Sequence, residues 1–259
     1  MKSRTRDSKV SDSPLDIDSD RGVFLTAEWR DLVMLNYEVD PALLRDFVPR
    51  GVELDAFEGR TYVSLVGFRF LRTKLFGFLA VPFHSNFDEV NLRFYVRRRE
   101  GTEQRRGVVF IRELVPRFAI AGLARMAYGE KYDACPMQHE IVRTDAAISA
   151  AYNWRFEGEA FRLDAEASGT PDYVAEDSLE NFITEHYWGY STKAGGASIE
   201  YRVTHPRWRI WIAAKSGFEG DAAGLYGLRF GEILRREPDS AFIAEGSKVV
   251  VHKGRPIQN

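Results

Sequence analysis

Cysteine is almost absent from this chain. Cys135 is the only one in 259 residues, so no internal disulfide can form and a reducing compartment fits. Charge of one sign is not in excess either. The 36 basic and 38 acidic residues leave a formal net charge of −2, which argues against a general affinity for nucleic acid or anionic membrane. No apolar run approaches the ~20 residues needed to cross a bilayer. The opening stretch MKSRTRDSKVSDSPLD carries charges with no apolar segment behind them, unlike a secretory signal. Motifs are missing as well: no Gly-rich phosphate loop surrounds Gly195-Gly196, and there is no HExxH, no paired CxxC and no GxSxG elbow. The five histidines, His84, His139, His186, His205 and His252, are far apart, so a metal site would need residues distant in sequence. No cofactor and no metal is implied. The expectation is a soluble cytoplasmic protein without nucleic-acid or membrane partners.

What the chain does have is an informative strand, Phe87 to Arg97. Read with a period of two, Val90, Leu92, Phe94 and Val96 fall on one side, and Glu89, Asn91, Arg93 and Tyr95 on the other. A face of carboxylate, amide, guanidinium and phenol is either an ordinary wet surface or one wall of a binding cavity. Both readings stay open at this level.

Residues 1–22 are rich in Ser, Asp, Arg and Lys and read as a disordered tail. Residues 23–259 read as one domain. Leu32–Val39, Arg60–Phe70, Phe87–Arg97 and Gly107–Leu114 read as strands. So do Met137–Arg143, Ser149–Phe156, Phe161–Glu166, Ile199–Thr204 and Trp208–Ile212. Asp40-Pro41 opens a short helix over Ala42–Phe47. The helical spacing of Ile120, Leu123, Ala124, Ala127 and Tyr128 predicts a helix over 118–128. Asp177 and Glu180 form a capping-box-like pair for a helix from Ser178 to about Tyr187, and Ala222–Arg235 reads as a last helix. Gly246-Ser247 suits a tight hairpin turn between Ala241–Glu245 and Lys248–His252. Many strands with few helices imply an α+β, β-rich fold: a largely antiparallel, closed sheet with helices packed against it.

The order of segments carries a resemblance. WRDL at 29–32, YEVDPALLRDFVPRGVELD at 37–55 and FDEVNLRFYVRR at 87–98 look like the YqjF-like family of uncharacterised bacterial proteins. GEKYDACPM at 129–137, FITEHYWGY at 182–190, EYRVTHPRW at 200–208 and SAFIAEGSKVVV at 240–251 continue it. That family resembles, in turn, the acetoacetate-decarboxylase-like superfamily, which implies a β-rich closed cone with an internal cavity. The superfamily pattern puts an active-site arginine at Arg30 and a glutamate at Glu89. Its two lysine places, one of which forms a Schiff base, fall on Tyr132 and Asp133, with Lys131 one residue away. A tyrosine cannot form an imine, so ordinary acetoacetate decarboxylation is not the expectation.

On this resemblance Glu89, Tyr132 and Arg30 are the candidate catalytic residues, and Arg93, Asn91 and His186 the candidate substrate-binding ones. An arginine fork suits a carboxylate or enolate oxygen, and a glutamate in an apolar cone suits acid–base work. The set fits enolisation, hydration or dehydration of a small oxo-acid or carbonyl compound. Each residue also has a plainer reading: Glu89 paired with Arg93 on a wet strand, Arg30 tied to an acid, Tyr132 packed in a core. His186, on the apolar stripe Leu179, Phe182, Ile183, can be a satisfied core histidine. Three function classes follow: a lysine-independent lyase, isomerase or hydratase; a non-catalytic binder of a small ligand; or a scaffold whose cavity side chains have filled. A homo-oligomer is compatible with each.

Overall fold

A computed structural model of the protein describes residues 22–80, 85–116, 132–193 and 195–257. The expected tail and the expected 118–128 helix lie outside the described residues, as does Lys131. The described residues open with β1 (Val23–Val39), then α1 (Pro41–Leu44) and a 3-10 turn at Arg45–Phe47. Next come β2 (Glu53–Leu54), β3 (Thr61–Leu75), β4 (Leu79–Ala80), β5 (Phe87–Glu100), β6 (Glu103–Val115) and β7 (Tyr132–Ala134). β8 (Met137–Arg143), β9 (Ala147–Phe156) and β10 (Glu159–Ser168) precede α2 (Leu179–Thr184), β11 (Trp188–Thr192), β12 (Ser198–Thr204), β13 (Ile210–Ile212) and β14 (Lys215–Glu219). The last elements are α3 (Ala222–Tyr226), α4 (Leu228–Leu234), β15 (Ser240–His252) and β16 (Arg255–Pro256).

A 12-stranded, mostly antiparallel sheet dominates, with the path β13-β15-β1-β3-β5-β6-β11-β12-β16. β12 also pairs with β15, so the sheet wraps back on itself, but only Val203↔Val251 and Thr204↔Val250 make that seam. The expected closed sheet is therefore a wrapped sheet with a narrow join rather than a uniform barrel. A second, four-stranded antiparallel sheet, β14-β10-β9-β8, covers its outer face. Val33, Leu35, Leu65, Leu92, Phe94 and Val96 of the large sheet share one core with Tyr152, Trp154 and Leu163 of the small one. Gly67 has no side chain because Tyr152 lies against it: a Cβ there would sit 2.7 Å from that ring. Among the described residues no helix is long and apolar enough to cross a membrane.

Two irregularities decide which residues face inward. In β1 the register slips between Arg30 and Val33, where Asp31 takes the left-handed φ of 56° that Asp tolerates better than most residues. The extra residue reverses the alternation, so that Trp29 and Leu32 both face the interior. In β6 the slip opposite Leu92/Arg93 does the same for Phe110 and Glu113.

Local chemistry accounts for the helices. Asp40 caps α1, its carboxylate accepting from the Ala42 amide at 2.8 Å. Four expectations are corrected. Ser178, not Asp177 with Glu180, caps α2, and Glu180 instead accepts from the Ser240 hydroxyl. α2 stops at Thr184 because the Tyr187 amide turns to the Arg106 carbonyl and β11 joins β6. The last helix breaks at Gly227, whose φ of 89° caps α3. Gly246-Ser247 makes no hairpin. β15 runs straight through it in register with β1, and Gly246 is there for closeness, since a Cβ would meet the Trp29 carbonyl at 2.1 Å.

Candidate functional site

β5 is covered on both sides. Its even residues enter the sealed core between the sheets, and its odd residues face the inside of the wrapped sheet. There, cross-strand pairing sets a row of side chains at one level: Val66 on β3, Asn91 on β5, Glu113 on β6 and Tyr132 on β7. One step along, Glu89 lies opposite Phe68; on the other side, Arg93 lies opposite Phe110.

These side chains border a cavity of about 120 Å³. At roughly 10–15 Å³ per water on this measure, it has room for a compound of on the order of eight to twelve non-hydrogen atoms. Much of its wall is aromatic, including Phe68, Phe70, Phe87, Phe110, Trp188 and Trp208. Glu89, Asn91, Arg93, Tyr132 and His186 all line it, so the structure brings five of the six candidates into one space. Arg30 does not join them, which corrects the placement drawn from the superfamily pattern. Trp29 takes the inward direction, and its neighbour in an extended chain points the other way. Arg30 pairs with Glu28 at 3.2 Å and donates to the Gly246 carbonyl at 3.1 Å.

Glu89 is 3% exposed. Its Oε1 accepts from Asn91 Nδ2 at 2.9 Å, and no ion pair with Arg93 is formed. Burial pushes its carboxyl up to about 7, against the opposing pull of the Asn91 hydrogen bond and the Arg93 charge. A carboxyl poised there can take or give a proton near neutral pH.

His186 sits just beyond α2, between the rings of Tyr95 and Phe182. Its Nε2 lies 3.2 Å from the Asp55 carboxylate, which also accepts from Arg106 Nε at 2.7 Å. Burial holds the imidazole down at about 4, helped by Arg106 and outweighing Asp55. Burial acts to raise the Asp55 carboxyl, but the bonds from His186 and Arg106 win and keep it at about 2. At neutral pH the pair is therefore a carboxylate beside a neutral imidazole.

Four polar atoms on residues that line the cavity are buried without a hydrogen-bond partner among the described residues: Asn91 Oδ1, Arg93 Nε, His186 Nδ1 and Trp29 Nε1. Bare buried donors and acceptors are costly, and native proteins keep few of them. All four belong to residues that share the one cavity.

Sequence reasoning missed Glu113, His205 and Asp55. Glu113 was hidden because the β6 irregularity breaks the alternation that would have exposed it. His205 lines the cavity stacked on Trp208, its Nδ1 bonded to the Pro206 carbonyl at 2.9 Å, and burial lowers it to about 4. Asp55 gave one signal only, its place in the GVELD stretch; its partner lies 131 positions away. Asp133, in the second lysine place, pairs with Arg112 at 2.8 Å. Cys135 is packed and buried, and burial pushes its thiol up to about 12, in keeping with a small hydrophobe. Among the described residues no group of three or more His, Cys, Asp or Glu is placed to hold a metal ion.

Residues 26–248 match the DUF2071 family, described as an uncharacterized conserved protein. The uncharacterized protein YqjF of Bacillus subtilis is 28% identical over 180 residues, 69% of this chain and 72% of that one. Among solved structures, an acetoacetate decarboxylase-like enzyme from Sphingomonas wittichii superposes with a TM-score of 0.64 at 13% identity, over 91% of this chain and 94% of the other. The acetoacetate decarboxylase of Legionella pneumophila gives 0.62 at 11% identity over 100% and 98%. The enduracididine biosynthesis enzyme MppR, complexed with pyruvate, gives 0.63 at 13% identity over 94% and 93%. At these identities the structural likeness establishes the fold alone, which is that of the acetoacetate-decarboxylase-like enzymes.

Proposed function

The chain belongs to the DUF2071 family of uncharacterised conserved proteins, and from that premise we propose that it is an enzyme of the lyase, isomerase or hydratase type. It takes a small oxo-acid or carbonyl compound into the cavity and works without a Schiff-base lysine. The observation that carries this reading is Glu89: a buried carboxyl raised to about 7, in a mostly aromatic enclosure beside an arginine that forms no ion pair with it.

Each neighbour has a defined part. Arg93 offers its guanidinium to the carboxylate or to the oxygen that gains charge on enolisation. Glu89 carries the proton, and Asn91 fixes which oxygen of Glu89 is engaged. Tyr132 stands where the superfamily has lysine and donates its hydroxyl to a carbonyl. His186 completes the polar end. The aromatic wall takes the body of the ligand and keeps water out, which strengthens every charge interaction inside. The fold neighbour MppR, seen with pyruvate and with a condensation product of pyruvate and imidazole 4-carboxaldehyde, supports an oxo-acid as the first class to try.

The test is a panel of oxo-acids, beginning with pyruvate and phenylpyruvate, followed by NMR in deuterated water for exchange at C3 and for new products. With a substrate in hand, Glu89→Gln is expected to lower kcat by about 10²–10⁴-fold while ligand affinity changes little. Full turnover by that variant removes Glu89 from the chemistry. Ligands that bind and are never consumed make the protein a non-catalytic binder. A borohydride-trapped adduct on Lys131 overturns the lysine-free reading.

A further inference from the structure

The bare atoms on the cavity-lining residues are of two kinds. Arg93 Nε and Trp29 Nε1 are donors that call for an acceptor such as a carboxylate or carbonyl oxygen. Asn91 Oδ1 and His186 Nδ1 call for a donor, and for His186 that assignment is imposed from behind. A carboxylate only accepts, so Asp55 places the ring proton on Nε2 and leaves a lone pair on Nδ1.

Asp55 itself has little freedom. It is 4% exposed and does not border the cavity. Arg106 holds Oδ2, the Ala56 amide donates to Oδ1 at 3.0 Å, and Arg97 stands 3.9 Å from Oδ1. Its own amide donates to the Tyr95 carbonyl at 3.0 Å, which locks the segment to β5. The imidazole is clamped between Tyr95 and Phe182, with ring centroids 4.7 and 4.9 Å away. Neither carboxylate nor ring can turn to exchange roles.

We propose that Asp55 is a positioning residue that fixes His186 as a hydrogen-bond acceptor, and that the cavity thereby selects ligands bearing a hydroxyl beside their carboxylate or carbonyl. This rests on the reading above and narrows it. An oxo-acid acquires such a hydroxyl when it enolises or is hydrated, so the acceptor favours the converted form over the keto form. That differential is the kind that accelerates a reaction. Asn91 Oδ1 offers a second acceptor to the same hydroxyl face, while Arg93 and Trp29 take the oxygens.

Mandelate and phenylacetate differ only by the hydroxyl and serve as the probes, titrated calorimetrically into the full chain. Mandelate is expected to bind roughly tenfold tighter, the worth of one hydrogen bond in a buried site. Arg106 and His186 share Oδ2 of Asp55, so Asp55→Ala is the informative change: it removes the acceptor behind Nε2, and the ring proton is free to take Nδ1. The preference is expected to fall below twofold, with phenylacetate affinity unchanged. Nitrogen-15 NMR of the histidine ring reads the tautomer directly: Nδ1 bare in the parent protein, protonated in the variant. Should Asp55→Ala fail to fold, His186→Phe keeps a ring in place and is expected to abolish the preference. Equal binding of the two acids by the parent protein, or an Nδ1–H signal in it, overturns the inference. If oxo-acids bind while the hydroxyl confers nothing, this inference alone fails. If neither these acids nor any oxo-acid binds, the functional reading fails with it.

Discussion

The two sides of β5 are built from the same backbone and face opposite conditions. Val90, Leu92, Phe94 and Val96 enter a core sealed by the four-stranded sheet, and each is fully buried among apolar neighbours. Glu89, Asn91 and Arg93 face a hollow, where aromatic rings surround polar atoms lacking partners. One side is organised for stability and the other retains unmet hydrogen-bonding capacity.

Breaking the sealed side should cost most. Phe94→Ala is expected to remove about 3–5 kcal/mol, read as a lower urea midpoint with unchanged slope. A loss under 1 kcal/mol would mean the two sheets do not depend on this contact.

The hollow side should respond to pH instead. Glu89 is raised from 4.5 to about 7, so between those values the folded protein holds a proton that the unfolded chain has released. The Glu89 contribution to stability therefore falls as pH rises through that window and levels off above it, over a span on the order of 3 kcal/mol, while His186 and His205, lowered from 6.5 to about 4, act in the opposite direction below 6.5. Glu89→Gln should remove the Glu89 component, so that the parent-minus-variant difference falls with pH and the variant is more stable than its parent above neutral pH. Urea melts at about pH 5 and about pH 8 check it. An unchanged difference between them would place the carboxyl in water.

The smallest effect belongs to a residue on neither side. Arg30→Ala removes a part-exposed pair with Glu28 and is expected to cost about 0–1 kcal/mol, with mandelate affinity unaltered. Loss of ligand affinity there would return Arg30 to the cavity.

Much of this was legible beforehand. Strict alternation in 87–97 separated the two faces of β5, and Met137–Arg143 appeared as a strand with the ends it has. The resemblance brought Glu89 and Tyr132 forward, which alternation alone had no means to rank. Illegible features share one physical cause: single-residue irregularities whose consequences are non-local. The bulge at Asp31 turns Trp29 inward and Arg30 out, although counting from Tyr37 placed Arg30 inside. Gly246 reads as a turn because glycine serves both turns and close approaches, and only the partner strand distinguishes them. Asp55 and His186 meet through tertiary pairing that no local pattern encodes.

The pairing of β1 with β15 has a consequence for how the molecule comes into being. Asn36 bonds to Ser240 across 204 positions of chain, and the narrow β12–β15 join waits on that same late strand. Contacts so distant in sequence form slowly, because much chain must be ordered before they repay its lost entropy. The cavity thus has no half-built version before that strand arrives: its first wall is completed only when β15 has been made and has paired with β1.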